Sequence, residues 1–143
     1  DLPGGALWAA KPQSFMNASG GVVSSLARFY KIDPRSIAVV SDDLNLPLGR
    51  IRIRGGGSAG GQRGLESILA ALGTLEIPRV RIGVGPLPAG MDAAAFVLSR
   101  FRTAERETVE RMLERSVAAL GLLCEKGLGP AMNAYNADES GAP

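Results

Sequence analysis

The sequence predicts an α/β fold with a largely parallel or mixed sheet, and three observations indicate it. Segments with apolar residues at helical spacing alternate along the chain with short strand-like segments. One of those strands is continuously apolar, as expected of a strand buried on both faces of a sheet. The length of 143 residues suits one domain, since a chain of this size buries roughly 68–70% of its unfolded surface.

The N-terminal part of the sequence predicts a strand followed by a helix. Leu7–Ala10 is expected to be a short strand. A helix follows, because apolar residues recur every three or four positions. These residues are Val22, Leu26 and Phe29. Asn17 or Ser19 is expected to cap the N-terminus of this helix.

Two strands of different character come next. Ile37–Val40 is continuously apolar and predicts a buried strand that ends at Asp42 and Asp43. Leu44–Gly49 contains a proline and is interpreted as a loop. Arg50–Arg54 alternates strictly between arginine and isoleucine, so the isoleucines face one side of a strand and the arginines the other.

The remaining elements are a helix over Leu65–Leu72, a strand over Val80–Val84 and a long helix over Thr103–Lys126. Thr103 is expected to cap the long helix and Gly127 to end it. Its predicted buried stripe consists of Val109, Leu113, Val117, Leu120 and Cys124. Cys124 is therefore interpreted as a buried thiol.

Composition excludes several kinds of chemistry. The chain contains no histidine and a single cysteine. A histidine-bearing catalytic triad, a histidine-type zinc site and a disulfide framework are excluded within these residues. No apolar run approaches the ~20 residues that cross a bilayer, and no signal peptide is recognisable, so a cytoplasmic location without membrane contact is expected.

The segment 50–81 concentrates positive charge, with six arginines and no lysine. Arginine favours planar, bidentate contact with phosphate, so this segment predicts a contact with nucleic acid or phosphate. A solvated basic face accounts for the same composition equally well.

Two motifs are candidates for chemistry. Asp42 and Asp43 follow a predicted buried strand, where ligands bind in open α/β sheets, although an Asx turn explains them as well. Gly55–Gly64 contains a G-x-G-x-x-G pattern, but the alternating strand before it is unlike a dinucleotide-binding unit, and no Walker lysine follows. A close backbone approach to an anion and a merely flexible loop both remain open for this segment.

Four runs of residues, in this order and spacing, resemble the bacterial peptidyl-tRNA hydrolase family. They are residues 11–23 with Phe-Met-Asn, 39–49 with Ser-Asp-Asp, 57–68 with Gly-Gln-Arg-Gly, and 78–85 with Pro-Arg-Val-Arg-Ile-Gly. The resemblance covers roughly residues 7–136. It implies a single domain over residues 1–136, with a twisted mixed sheet between helices in three layers, and a flexible tail over 137–143.

The resemblance also implies a function. Members of the family hydrolyse the ester that links a peptide to the 3′-terminal ribose of tRNA, without a metal or other cofactor. The implied partner is the acceptor end of peptidyl-tRNA, with no obligate protein partner, and a monomer is expected.

The resemblance assigns roles to individual residues. Asp42 matches the aspartate that holds the family's general-base histidine in its basic form. Asn17 matches an asparagine that contacts the substrate at the cleavage site, and Phe15 an aromatic residue that helps to form the tRNA site. Gln62 and Arg63 replace a His-Asn pair of the family's glycine-rich loop and are carried over as substrate contacts.

One departure from the family bears on catalysis. The family's N-terminal strand and the segment with its catalytic histidine have no counterpart in this sequence. The 143 residues are therefore expected to lack that strand and to be inactive by themselves. The alternative is a non-catalytic RNA-binding relative, and a third hypothesis is a nucleotide-binding domain based on the glycine-rich loop.

Overall fold

The described chain contains both helices and strands, as the α/β prediction requires. The computed structural model describes residues 5–137. The strands are β1 (Val39–Pro47), β2 (Ile51–Arg54) and β3 (Arg79–Gly85). The helices are α1 (Ser19–Phe29), α2 (Arg63–Leu72), α3 (Ala93–Val97), α4 (Arg106–Lys126) and α5 (Leu128–Tyr135). Single turns of 3-10 helix lie at Met16–Ala18, Pro34–Ser36 and Thr103–Glu105.

The three strands form a mixed sheet in the order β1-β3-β2. Three backbone hydrogen bonds show the strand directions. They are donated by Val39 to Pro78, by Leu48 to Gly85 and by Gly83 to Arg50. The first two join the start of β1 to the start of β3 and the end of β1 to the end of β3, so these strands are parallel. The third joins the end of β3 to the start of β2, which makes that pair antiparallel. The predicted mixed sheet is confirmed.

Residue contacts divide the described chain into two compact units, each with its own apolar core. Unit 1 holds the residues up to Val39 together with Arg54–Arg79, and unit 2 holds Val40–Ile53 and the residues from Val80 onward. The buried core residues of unit 1 include Leu65, Leu69 and Ile77. Those of unit 2 are Ile51, Ile53, Val80, Met112, Ala119 and Ala131.

Strand β2 follows the predicted alternation. Ile51 and Ile53 are buried in the core of unit 2, whereas Arg52 and Arg54 are exposed. The side chain of Asn136, just after α5, bonds to both main-chain groups of Ile53. Its Oδ1 accepts the Ile53 N–H at 2.7 Å and its Nδ2 donates to the Ile53 carbonyl at 2.8 Å. The amide thus occupies hydrogen-bonding positions at the edge of β2 that a further strand would otherwise use.

Strand β1 is longer than predicted, and the predicted loop at Leu44–Gly49 is wrong over most of its length. The strand runs through Asp42 and Asp43 to Pro47, so neither aspartate follows its end. Its continuation depends on β3, where a Cβ at Gly83 or Gly85 would lie 2.1 Å from a carbonyl oxygen of β1. Pro47 is tolerated because β1 is at the edge of the described sheet. Val40 is exposed, so the expected burial on both faces is wrong as well.

The predicted buried stripe of α4 is displaced by about one residue. Met112, Ser116 and Ala119 are buried, whereas Leu113 and Val117 are 49% and 70% exposed. The helix has apolar residues on two adjacent faces, and the face with Met112 and Ala119 packs into the core of unit 2. Cys124 is exposed, so its prediction as a buried thiol is wrong.

The N-terminal capping residues also differ from the prediction. Thr103 starts a 3-10 turn ahead of α4, and in that turn Glu105 accepts the Arg102 N–H at 2.7 Å. Gly127 ends α4 as predicted. The cap position of α1 is Ala18, and neither Asn17 nor Ser19 caps the helix.

Two further predictions concern the ends of the chain. Leu7–Ala10 has no regular secondary structure, so the predicted strand there is wrong. The predicted tail at 137–143 lies outside the described residues except for Ala137. Within residues 5–137, no helix is long and apolar enough to cross a membrane.

Helix α1 begins where it packs directly against α2. The Gly20 N–H donates to Ser67 Oγ at 3.0 Å. A Cβ at Gly20 would lie 2.0 Å from the Ser67 carbonyl oxygen, far inside van der Waals contact, whereas a Cβ at Gly21 would meet nothing within 4 Å. The two helices can therefore approach this closely only with glycine at position 20.

We expect opposite effects from the same substitution at these two glycines. Gly20→Ala should lower the free energy of unfolding by about 3 kcal/mol, because the methyl group forces two main chains apart. Gly21→Ala should raise it by about 0.5–1 kcal/mol, because alanine has the higher helix propensity and the site is open. Urea denaturation followed by circular dichroism measures both. Equal effects at the two positions would contradict the proposed contact.

Candidate functional site

An open groove in unit 1 brings two of the candidate residues together. It has a volume of about 620 Å³ and is formed by the 3-10 turn before α1 and by one face of α2. Its lining residues are Asn17, Arg63, Glu66, Ser67, Ala70 and Ala71. The lining thus combines an amide, a guanidinium, a carboxylate and a hydroxyl group with two alanines.

Two glycines place Asn17 in this groove. Gly20 holds the start of α1 against Ser67, as described above. Met16, next to Asn17, lies against Gly64, where a Cβ would be 2.7 Å from the methionine Cε. The turn that carries Asn17 is therefore anchored to the first turns of α2 on both sides. The sequence assigned no role to Ser67, and the only local signal was a pair of glycines inside a predicted helix.

Arg63 is the first residue of α2 and is exposed. Within residues 5–137 no ion pair involves its guanidinium, so the group can bind an anion in the groove without breaking one. Gln62 occupies the cap position of α2 and is half-buried, and it does not line the groove. The structure therefore brings Arg63 together with Asn17, but not Gln62.

Phe15 precedes the turn and is 88% exposed. It does not line the groove, although only Met16 separates it from Asn17 in sequence. An exposed aromatic ring can stack on a nucleobase with little rearrangement. Both Phe15 and Met16 are exposed, so neither is a core residue, which is the usual position of such side chains.

The two aspartates of β1 differ in their surroundings. Asp43 is only 2% exposed, and its Oδ2 accepts a hydrogen bond from Nε of Arg81 and forms an ion pair with Nη2 of the same guanidinium. Its Oδ1 accepts the Asn45 N–H at 2.8 Å. Adjacent side chains of a strand point to opposite faces, so half-buried Asp42 lies on the face opposite Asp43. The Asp43 carboxylate is therefore held by buried contacts, and Asp42 stays the catalytic candidate of the sequence prediction.

The arginines of segment 50–81 differ in burial and in their partners. Arg79 is buried and Arg81 is paired with Asp43, so at least two of its members are structural. Arg52, Arg54 and Arg63 are exposed. Within residues 5–137, no group of three or more carboxylate, thiol or imidazole side chains could hold a metal ion.

A family model described as peptidyl-tRNA hydrolase matches residues 1–142. The chain belongs to this family. The resemblance seen in the four sequence runs is confirmed, and with it the α/β fold class.

Individual members of the peptidyl-tRNA hydrolase family show how much of the chain is shared. A peptidyl-tRNA hydrolase of Mycobacterium tuberculosis is 48% identical over 134 residues, which are 94% of this chain and 70% of that protein. One from Desulfitobacterium hafniense is 44% identical over 135 residues, or 94% of this chain and 73% of that protein.

Solved structures of the family have the same fold. A peptidyl-tRNA hydrolase from Acinetobacter baumannii superimposes with a TM-score of 0.79 at 30% identity, covering 88% of this chain and 64% of that one. A peptidyl-tRNA hydrolase crystallised with N-propanol gives a TM-score of 0.80 at 29% identity and covers 91% and 66%. The chain therefore spans about two thirds of the solved family members.

We expect Asp42 and Asp43 to differ sharply in their effect on stability. Asp43→Asn should lower the free energy of unfolding by about 2–4 kcal/mol, because Arg81 would lose the carboxylate that compensates its partial burial. Asp42→Asn should cost less than Asp43→Asn, because the half-buried Asp42 side chain keeps contact with water. Urea denaturation of both variants measures the difference. A larger loss for Asp42→Asn would contradict the structural assignment of Asp43.

Proposed function

We propose that this chain binds the acceptor end of peptidyl-tRNA, and that it hydrolyses the ester between the peptide and the 3′-terminal ribose once a general base is supplied. Family membership supports the substrate class. The observation that carries the proposal is the shared groove of Asn17 and Arg63, which sets an amide beside a cation. A peptidyl-tRNA end offers the matching groups, an ester carbonyl and phosphates.

Each group in the proposed site has chemistry suited to this substrate. The Asn17 amide donates and accepts hydrogen bonds, so it can hold the ester carbonyl or the attacking water. The Arg63 guanidinium binds phosphate through parallel N–H groups. Phe15 supplies an exposed ring on which a base of the tRNA end can stack, and Gln62 supplies a second amide.

Hydrolysis needs a base that takes a proton from water and returns it to the leaving 3′-oxygen. The sequence contains no histidine, and a carboxylate, whose ordinary pKa is about 3.9 for aspartate, is a weak base at neutral pH. We therefore propose that the base is an imidazole supplied from outside these 143 residues. Asp42 then accepts a hydrogen bond from one imidazole nitrogen, which fixes the tautomer and makes the other nitrogen more basic.

In the resulting reaction, water attacks the ester carbonyl while the imidazole accepts its proton. The tetrahedral intermediate collapses by breaking the bond to the ribose 3′-oxygen, which takes the proton from the imidazolium. The products are a free 3′-hydroxyl on the tRNA and a peptide carboxylic acid, which loses its proton to the solvent at neutral pH. The cytoplasmic location and the monomeric state stay predictions of the sequence.

We expect Arg63→Met to weaken binding of N-acetyl-aminoacyl-tRNA by about fivefold to thirtyfold, and to reduce the slope of log affinity against log salt by about one. The reason is the loss of one phosphate contact. Fluorescence anisotropy over a range of salt concentrations measures both quantities.

Arg35→Met is the matched control for this measurement. Arg35 is also an exposed arginine of unit 1, but its Nη2 lies 3.0 Å from Asp33 Oδ2, and hydrogen bonds from its side chain lower the pKa of that carboxyl. Its charge is already compensated, so little change in affinity is expected. Equal losses for the two variants would mean that binding reflects overall charge and not the groove.

We expect the 143 residues alone to bind N-acetyl-aminoacyl-tRNA without hydrolysing it, and added imidazole to restore measurable hydrolysis. Joining the chain to the parts of the Mycobacterium tuberculosis relative that it does not match should restore full turnover. In the joined protein, Asp42→Asn should lower kcat by about 10²–10⁴ with little change in KM, since Asp42 acts on the base and not on the substrate.

Two outcomes would change this conclusion. Rapid hydrolysis by the unaltered 143 residues without imidazole would show that the base lies within the chain. Binding without hydrolysis in the joined protein would instead favour a non-catalytic RNA-binding relative, which the absence of histidine and the Gln62-Arg63 pair also suit.

A further inference from the structure

Arg79 is a buried cation to which the proposed chemistry assigns no role. It is the first residue of β3 and is 3% exposed. Its guanidinium donates hydrogen bonds to four main-chain carbonyl oxygens. They belong to Ser58 at 2.8 Å, Gly57 at 3.0 Å, Ile77 at 3.2 Å and Leu75 at 3.2 Å.

These acceptors come from two separate segments. Gly57 and Ser58 belong to the glycine-rich loop between β2 and α2, and Leu75 and Ile77 to the connection between α2 and β3. The loop is also joined to this connection directly, because the Gly57 N–H donates to the Leu75 carbonyl at 3.0 Å. Arg79 therefore ties both ends of the α2 region to one point.

Hydrogen bonds and the main chain together link Arg79 to the groove. After Ser58, the Ala59 carbonyl accepts the Gln62 N–H at 3.2 Å and closes a turn. The Gln62 carbonyl then accepts the Glu66 N–H at 2.9 Å, which forms the first turn of α2 and sets the direction of Arg63. The loop anchored by Arg79 thus leads directly into Arg63, the first residue of α2.

Burial of a guanidinium is costly unless its N–H groups are bonded, and apolar residues of similar size often stabilise a protein as well or better. An apolar side chain could fill this space but could not donate hydrogen bonds. The planar guanidinium of Arg79 donates to carbonyl groups of two segments at once. The guanidinium can therefore fix a glycine-rich loop, which would otherwise have high conformational entropy because glycine restricts the main chain so little.

We propose that Arg79 is a positioning residue for substrate binding, which fixes the loop over residues 55–62 and so presents Arg63 to the phosphates of the tRNA end. This inference rests on the proposed function. Arg79 is buried and does not touch the substrate, so its effect on binding passes through the loop.

The test compares Arg79→Met and Arg79→Lys with the unaltered chain in two measurements. Hydrogen–deuterium exchange at the Gly57 and Gln62 amides, both hydrogen-bonded, should accelerate by about tenfold or more in Arg79→Met. Affinity for N-acetyl-aminoacyl-tRNA should fall by about fivefold to tenfold. Arg79→Lys should recover part of both effects, because an ammonium group donates up to three hydrogen bonds.

A double-substitution cycle separates positioning from general destabilisation. In an Arg63→Met background, Arg79→Met should weaken binding by less than about twofold, because the group that it positions is already absent. Ile53→Val, a fully buried position in the core of unit 2, is the control for loss of stability and should leave affinity unchanged. If Arg79→Met does not fold, the cycle is carried out with Arg79→Lys.

The outcomes distinguish this inference from the proposed function. Unchanged affinity in the Arg79 variants, or a full additive loss in the Arg63→Met background, would overturn the positioning role while the unaltered chain still binds. Absence of binding by the unaltered chain would overturn the proposed function itself. In that case the exchange measurement still decides whether Arg79 holds the loop.

Discussion

The first turn of α1 lies against the main chain of α2 at a separation that excludes even a methyl group. The constraint is steric: a Cβ at Gly20 would be 2.0 Å from the Ser67 carbonyl oxygen. Hard-sphere repulsion rises steeply at this distance, so the contact restricts the helices to a narrow range of positions. The 3-10 turn with Asn17 is held beside the N-terminus of α2 as a result, and the groove with Arg63 exists because of this contact.

Strand β3 begins with two arginines at alternate positions, whose guanidinium groups are stabilised in different ways. Arg79 donates to main-chain carbonyls of unit 1, and Arg81 binds the buried Asp43 carboxylate of unit 2. In both cases the hydrogen bonds offset the cost of removing a charge from water. The arginines of this protein therefore fall into two groups. Some are buried or half-buried and hold main-chain or carboxylate groups in place, and others are exposed and available to an anionic ligand.

Sequence patterns predicted those elements whose structure depends on neighbouring residues. The alternation in β2, the helical spacing of α2 and the strand at β3 are local signals, and all three are confirmed. The predictions failed where distant residues decide. The continuation of β1 depends on glycines of β3 some forty positions away, and the buried face of α4 depends on which of two apolar stripes meets the core. Asn17, one of the two expected helix caps, lies in the 3-10 turn before α1 and lines the groove.

The sequence by itself determined the fold class, through periodicity, and the family, through ordered motifs, and the resemblance to the family supplied the candidate site residues as predictions. Only the tertiary structure decided which candidates share a groove, which of two adjacent aspartates is already used for structure, and which arginines are buried. These properties depend on distances between residues far apart in sequence and on the exclusion of water from their surroundings. The absence of histidine is a property of the sequence alone. That Asn17 and Arg63 share one groove, and that Arg79 holds the loop before Arg63, is known only from the tertiary structure.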